Sequence, residues 1–269
     1  MTEITTTKEI QEISLKILLF VDKICKENNI KYSLAYGTAL GAIRHKGFIP
    51  WDDDVDIIMT RDNYEKFLEI MDNYKSDEFK CLHYGKNFPN YFYGFAKVVD
   101  LTTYLDENSF IRNPDLGVYI DIFPVDGIDE KTYDKDLNKF YRYQKILFFS
   151  AVKNFKKSKK GLAYTLKKLI VYPFVKLVGW KHWLKKCEQI RTKVSLKDSN
   201  YGNMFGFVGE HANFPKEIYD EIVDVEFEGY KLPILKDYDK YLTQLYGDYM
   251  TPPPKESQVS NHAFKAFRK

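Results

Sequence analysis

Carboxylates are the first candidates for chemistry, because four of them fall within residues 52–56, directly before the apolar run 57–59. The apolar run predicts a strand, and side chains alternate faces along a strand, so Asp54 and Asp56 would point the same way. An unpaired carboxylate inside an apolar strand is costly to desolvate, and two carboxylates on one face repel each other. A hard divalent cation removes both costs. The segment therefore predicts a metal site at Asp54 and Asp56, and the alternative is a solvated turn.

Gly37 and Thr38 are the next candidates. They stand between an apolar run, 32–36, which predicts a strand, and a short helical pattern, 39–46, which Gly47 ends. The start of a helix presents backbone N–H groups to anions, and a glycine lets a phosphate approach the backbone closely. We therefore expect Gly37 and Thr38 to bind a substrate phosphate.

The same short helix ends in three basic residues, Arg44, His45 and Lys46. One interpretation is that they contact the phosphates of an anionic substrate. The other is that they are cations placed favourably at the negative end of the helix dipole.

A further acid, Asp121, lies inside the apolar strand predicted over 116–123. It could be a solvated acid on an edge strand, or a carboxylate that joins Asp54 and Asp56 from a second strand. Asp126 and Gly127 follow shortly after and are typical of a turn.

The run from Tyr36 to Asp56 resembles the LicD family of phosphorylcholine transferases, which includes the fukutin-related proteins. The segments 120–127 and 246–255 resemble motifs of the same family. The resemblance implies a nucleotidyltransferase fold, in which Gly-Ser/Thr at a helix start precedes Asp-x-Asp on the next strand. Sixteen positions separate Thr38 from Asp54 here.

This resemblance implies an enzyme that moves phosphocholine from CDP-choline to a sugar hydroxyl of a cell-surface glycan or its lipid-linked precursor. Asp54, Asp56 and Asp121 would hold Mg²⁺ or Mn²⁺, with Asp121 as third ligand or as base near the attacking hydroxyl. Arg44, more than His45 or Lys46, would contact the donor phosphates. No nucleic acid is expected as a partner.

Two alternatives stay open. One is transfer of phosphoethanolamine, aminoethylphosphonate, ribitol phosphate or glycerol phosphate from a CDP-linked donor. The other is a non-catalytic protein that binds a membrane surface, which would leave the strand acids unexplained.

The elements that position these residues follow from apolar periodicity. Helical spacing predicts helices over 6–28, 61–74, 130–152, 162–178, 180–194 and 236–246, with Pro173 and Gly179 as interruptions. Further strands are predicted over 79–84, 93–99, 102–105, 222–227 and 230–234.

At 269 residues and 44% hydrophobic composition, the chain suits one large domain or one domain with an appendage. We predict an α+β fold: a nucleotidyltransferase-like mixed sheet flanked by helices, with a basic helical insertion. The catalytic core would cover 1–152, the insertion 153–198, and residues 199–269 would complete the catalytic domain.

The insertion is strongly basic. Residues 153–193 carry thirteen Lys and Arg against one acid, a net charge of +12 in a chain whose total is +3. Basic helical stretches with aromatic residues are typical of elements that lie on a membrane surface. We expect either peripheral contact with an anionic membrane, through Lys156, Lys157, Lys159 and Lys160, or a packed subdomain whose lysines face water.

The cellular location follows from the cysteines and the apolar runs. Cys25, Cys81 and Cys187 lie far apart, which argues against a disulfide framework or a zinc site and favours the reducing cytosol. Residues 1–9 do not form a secretory signal, and no apolar run is long enough to span a bilayer. The sequence predicts a cytoplasmic protein, with peripheral contact at the inner face of the plasma membrane.

Overall fold

The computed structural model describes residues 1–86, 90–107, 110–153, 162–205, 213–259 and 264–269, with the backbone alone for 162–168. The helices are α1 Thr7–Glu27, α2 Tyr36–His45, α3 Arg61–Asn73, α4 Tyr133–Ala151, α5 Leu162–Val178, α6 Trp180–Arg191 and α7 Tyr238–Tyr246. The strands are β1 Thr2–Ile4, β2 Ser33–Leu34, β3 Asp56–Thr60, β4 Phe79–Leu82, β5 Ala96–Asp100, β6 Thr103–Asp106, β7 Tyr119–Gly127, β8 Tyr201–Asn203, β9 Phe214–Pro215, β10 Ile222–Phe227, β11 Tyr230–Leu235 and β12 Lys265–Arg268.

A mixed sheet in the order β2-β3-β7-β5-β4 forms the centre of the fold. Strands β3 and β7 run parallel, while β2, β5 and β4 join antiparallel to their neighbours. Ile57, Ile122 and Val98 on the three inner strands are fully buried, because α1 and α3 pack on this sheet. The fold is α+β with a nucleotidyltransferase-like sheet, as predicted.

Helix α1 shows how closely the sequence pattern fixes an element. Ile10, Ile13 and Ile17 recur at helical spacing and all are buried. The helix begins where the Thr6 side chain accepts a hydrogen bond from the Glu9 N–H and donates one to the Glu9 carboxylate, the predicted cap.

The C-terminal part of the chain packs back on the N-terminal elements. Strand β12 lies between β1 and β6, the hairpin β10–β11 packs against β2, and α7 packs against α2. The hairpin turn is the predicted Glu228-Gly229, whose φ angles of 49° and 80° both lie in the left-handed region, as a two-residue type I′ turn requires.

Helices α4 and α6 share a second apolar cluster that includes Phe140, Leu147, Leu184 and Cys187. Helix α5 adds to this layer from outside. It continues through Pro173, so the break predicted there is absent, and the chain turns at Gly179 as predicted, with a φ of 78°. Pro173 leaves the Leu169 carbonyl without its helical partner, and Leu169 is half exposed, so water can bind there.

The turn predicted at Asp126 and Gly127 is wrong. Strand β7 runs through both residues, and Asp126 forms a buried two-bond ion pair with Arg61, at 2.7 and 2.6 Å. The turn composition is overridden because the Arg61 guanidinium satisfies the Asp126 carboxylate inside the protein. This pair lines a cleft of about 570 Å³ at the opposite end of β3 and β7 from Asp56 and Asp121.

Candidate active site

The two strand acids meet across the parallel pair at the centre of the sheet. Asp56 is the first residue of β3, and it lies in register with Asp121 of β7. Directly paired residues of adjacent strands project to the same face of a sheet. The structure therefore brings together Asp56 and Asp121, which are 65 positions apart in the sequence.

The segment before β3 keeps the alternation predicted for it, although the strand begins only at Asp56. Asp52, Asp54 and Asp56 are half-buried, whereas Asp53 is buried, with 9% of its surface exposed. Asp53 therefore faces the interior, and the other three carboxylates face a common space.

The electrostatics show that these carboxylates form one cluster. The pKa of Asp56 is raised well above its usual value by burial, and further by the charges of Asp54, Asp121 and Asp52. The ammonium of Lys97 acts in the opposite direction and lowers that pKa. Four acids and one buried base thus share this part of the protein.

Lys97 was not predicted as a site residue. It lies on β5, opposite Asp121, and its Nζ donates a hydrogen bond to Asp121 Oδ1 at 2.6 Å. Only 2% of Lys97 is exposed, and its Nζ lies 3.4 Å from the centre of the Tyr119 ring. A single charge inside an apolar strand was the signal that identified Asp121, and the same signal was present at Lys97.

Thr38 positions Asp56 through the backbone. The Thr38 hydroxyl is buried and accepts a hydrogen bond from the Asp56 N–H at 2.9 Å. This contact links the first turn of α2 to the first residue of β3. The Thr38 side chain thus has a structural role in addition to the predicted phosphate contact.

Thr38→Val should therefore leave the Asp56 N–H without its acceptor and reduce the free energy of unfolding by about 1–3 kcal/mol. Thr38→Ser keeps the hydroxyl and loses only a buried methyl group, so it should cost about 0.5–1.5 kcal/mol, less than Thr38→Val. Urea unfolding of both variants measures the difference. Equal stabilities of the two variants would show that the hydrogen bond does not hold β3 in place.

Gly37 faces Asp52. A Cβ atom at Gly37 would lie 2.6 Å from Asp52 Oδ2, so the space beside this glycine is occupied by a carboxylate. A phosphate at the start of α2 would approach that carboxylate, which is favourable only with a cation between the two anions. Phosphate binding at Gly37 and Thr38 stays a prediction.

The C-terminal part of the chain closes the start of α2. Tyr36 has a φ of 46°, which is strained for a bulky residue, and its N–H donates to the Tyr241 hydroxyl at 3.3 Å. The pKa of Tyr246 is raised by burial of its hydroxyl and then by Asp56, Asp52 and Asp54. Tyr246, the first residue of the C-terminal motif, thus lies close enough to the carboxylates for their charges to act on its hydroxyl.

Arg44, His45 and Lys46 lie at the other end of α2, roughly 12 Å from Gly37 at 1.5 Å per residue. Arg44 donates hydrogen bonds to the Tyr249 carbonyl at 2.8 Å and to His45 Nε2 at 2.9 Å. Lys46 is an exposed C-cap with a φ of 57°, and its Nζ lies 3.6 Å from Glu226. The structure does not bring these three residues together with the carboxylates, and their predicted contact with substrate stays a prediction.

The carboxylate cluster fits a hard divalent cation in ligand type and in charge. The four carboxylates of the cluster are all oxygen donors, and the Lys97 ammonium lowers the pKa of Asp56. Within the described parts of the chain, no three His, Cys, Asp or Glu side chains converge closely enough to form a ready-made metal site. Asp121 Oδ1 accepts the hydrogen bond of the Lys97 ammonium, and a role for Asp121 as third ligand stays a prediction.

A mixed sheet with acids paired across two parallel strands, next to a helix that starts at Gly-Thr, defines a nucleotidyltransferase-like transferase. The profile of the LicD/FKTN/FKRP nucleotidyltransferase domain matches residues 29–159. These residues contain the paired acids, Thr38 and Lys97.

The chain is similar to the lipopolysaccharide cholinephosphotransferase LicD of Haemophilus influenzae. The two are 32% identical over 97% of this chain and 98% of the relative. An uncharacterized protein of Rickettsia typhi is 39% identical over 61 residues, which cover 23% of this chain and 20% of that protein. The chain belongs to the LicD family and is a LicD-like phosphotransferase.

Proposed function

We propose that this enzyme transfers phosphocholine from CDP-choline to a sugar hydroxyl of a cell-surface glycan, such as lipopolysaccharide or teichoic acid, or of its lipid-linked precursor. The register of Asp56 with Asp121 is the observation that supports a phosphotransfer site. The choice of phosphocholine is supported by the similarity along nearly the whole chain to the Haemophilus cholinephosphotransferase.

In the proposed reaction, the sugar hydroxyl oxygen forms a bond to the phosphorus that carries choline. The bond from that phosphorus to the oxygen bridging it to CMP breaks, and CMP leaves. Phosphoryl transfer depends mainly on positioning and charge stabilisation, so few reacting side chains are needed.

The residues have separate tasks in this proposal. Asp54 and Asp56 would hold Mg²⁺ or Mn²⁺, with Asp121 as third ligand or as the base that takes the hydroxyl proton. The cation, when bound, supplies positive charge for the diphosphate. Thr38 fixes Asp56 through the backbone, and Lys97 fixes the orientation of Asp121.

We place the reaction in the cytoplasm, at the inner face of the plasma membrane, where a lipid-linked acceptor would be presented. The three cysteines support a reducing compartment, because all are free and buried. Burial raises the pKa of each thiol, with that of Cys187 at about 12, so they stay protonated and unreactive.

Release of CMP from CDP-choline tests the proposal. The purified protein should release CMP only with Mg²⁺ or Mn²⁺, and EDTA should stop the release. CDP-ethanolamine, CDP-ribitol and CDP-glycerol, assayed in parallel, test the second candidate, another phospho-alcohol. If CMP is released from one of these donors and not from CDP-choline, the transferred head group is that alcohol and not choline. Release that does not depend on metal would refute the cation site.

A further inference from the structure

Helix α5 turns large apolar side chains outward. Ile170, Phe174 and Leu177 are 68%, 66% and 85% exposed, and their spacing of four and three residues places them on one face of the helix. Leu169, Val171 and Val178 are about half exposed beside them. We call Ile170, Phe174 and Leu177 the outer face of α5.

The opposite side of α5 is fixed to the protein. Val175 is buried, the Tyr172 ring packs edge-on against Phe149 at 5.4 Å, and Lys176 Nζ donates to the Val152 carbonyl at 2.6 Å. The helix is therefore held against α4 with its outer face turned away from the core.

The segment that carries the outer face is positively charged. Lys153, Lys181 and Lys185 are exposed. The single acid of residues 153–193, Glu188, is turned inward, where Arg61 and Arg191 bind its carboxylate at 3.1 and 3.4 Å. It therefore does not reduce the surface charge.

Six other lysines of this segment add to the charge in the sequence. Lys167 and Lys168 lie where only the backbone is described, and the predicted membrane-binding lysines lie outside the described residues: Lys156, Lys157, Lys159 and Lys160.

We infer that the outer face of α5 docks on a lipid bilayer that contains anionic phospholipid. The helix would lie in the plane of the bilayer, with its apolar side chains at the boundary between headgroups and acyl chains and the lysines at the lipid phosphates. The alternative occupant, a second copy of this chain, would bring two segments of +12 charge together. Repulsion between them disfavours that pairing and favours an anionic surface.

This inference deepens the proposed function, since it names the surface through which the enzyme would reach a lipid-linked acceptor. Its test uses no donor and no metal, so a failed docking surface and a failed phosphocholine transfer give separate results.

Flotation of the full-length protein with vesicles is the first measurement. The protein should float with vesicles of phosphatidylcholine mixed with phosphatidylglycerol at low salt, and much less with phosphatidylcholine alone. High salt should weaken the binding, because it screens the lysine charges. Binding to anionic vesicles no stronger than to neutral ones would overturn the inference.

Two sets of variants separate the apolar and the charged contributions. Ile170→Ser with Phe174→Ser and Leu177→Ser should lower partitioning at least tenfold, whereas Tyr230→Ser, on the exposed hairpin, should change nothing. Lys181→Gln with Lys185→Gln should lower partitioning by about fivefold for each lysine near the surface. The matched control is Lys8→Gln with Lys16→Gln, two exposed lysines of α1.

A fluorescent label shows whether the outer face itself enters the bilayer. Because the native cysteines are buried, an environment-sensitive dye can be attached selectively to Leu177→Cys, with Tyr230→Cys as control. The dye at position 177 should shift to the blue with anionic vesicles, and the control dye should not. Vesicle binding without this shift would mean that lysines alone attach the protein.

Self-association is the remaining outcome. Sedimentation velocity would detect a concentration-dependent dimer. If the Leu177→Ser change abolishes that dimer, the outer face binds a second copy. That result would also overturn the membrane inference.

Discussion

Asp56→Asn should lower CMP release on the order of 100- to 1000-fold, the size of effect seen when one electrostatic group of an active site is removed. The same change at Asp54 should act alike, because both carboxylates face the shared space. Asp53→Asn is the neighbouring control. Its side chain is buried, so we expect a loss of stability with much of the turnover retained. Near wild-type turnover in Asp56→Asn would remove Asp56 from the site.

Stability measurements should show that Asp56→Asn does not act by unfolding. A raised pKa means that the folded state binds this proton more tightly than the unfolded chain. Stability from this group is therefore full below the usual carboxyl pKa and is lost as pH rises through the folded-state value. Asn does not ionise, so in EDTA the melting temperature of the variant should rise relative to that of the wild type as pH increases above the usual carboxyl pKa. If the melting temperature of the variant instead fell relative to that of the wild type as pH rises, the raised pKa of Asp56 would be contradicted.

Asp121→Asn should destabilise the protein as well as inactivate it. The structure shows that Asp121 is the partner of a buried ammonium. Removing one member of a buried ion pair costs about 3–5 kcal/mol, because the other charge is left without compensation. The melting temperature should fall by roughly 5–9 °C at this chain length.

The double variant Asp121→Asn with Lys97→Met separates the two roles of Asp121. It removes both buried charges, so it should regain most of the stability and remain inactive. The exposed pair Lys236–Glu221, at 2.7 Å, is the matched control, and Glu221→Gln should leave the melting temperature unchanged. A stable Asp121→Asn single variant would show that Lys97 does not need this carboxylate. Activity in the double variant would show that the chemistry does not need it.

Local patterns determined most elements of this protein. Alternation along a strand placed Asp54 and Asp56 on one face and Asp53 on the other, and helical spacing with a Thr6 cap gave α1 almost to its ends. The hairpin at Glu228-Gly229 also followed from the sequence, because its turn needs only two residues with positive φ. These features depend on neighbours within a few residues, so the sequence alone contains them.

Four short strands were not predicted from the sequence, because they depend on distant parts of the chain. Strands β1, β8, β9 and β12 have two to four residues each, too few to show a period, and they form because a distant strand offers its backbone hydrogen bonds. The failed turn at Asp126 has the same origin, since Arg61, 65 positions earlier, decides whether that carboxylate can be buried.

The sequence by itself thus named the candidate carboxylates, and the resemblance named the chemistry expected of them. Only the tertiary structure decided that Asp56 and Asp121 share a register, that Lys97 holds Asp121, and that Thr38 supports the Asp56 backbone. Each of these contacts joins residues 18 to 65 positions apart. The sequence shows that a buried charge needs a partner, but it does not show which distant residue that partner is. Sheet register and burial decide which groups become neighbours.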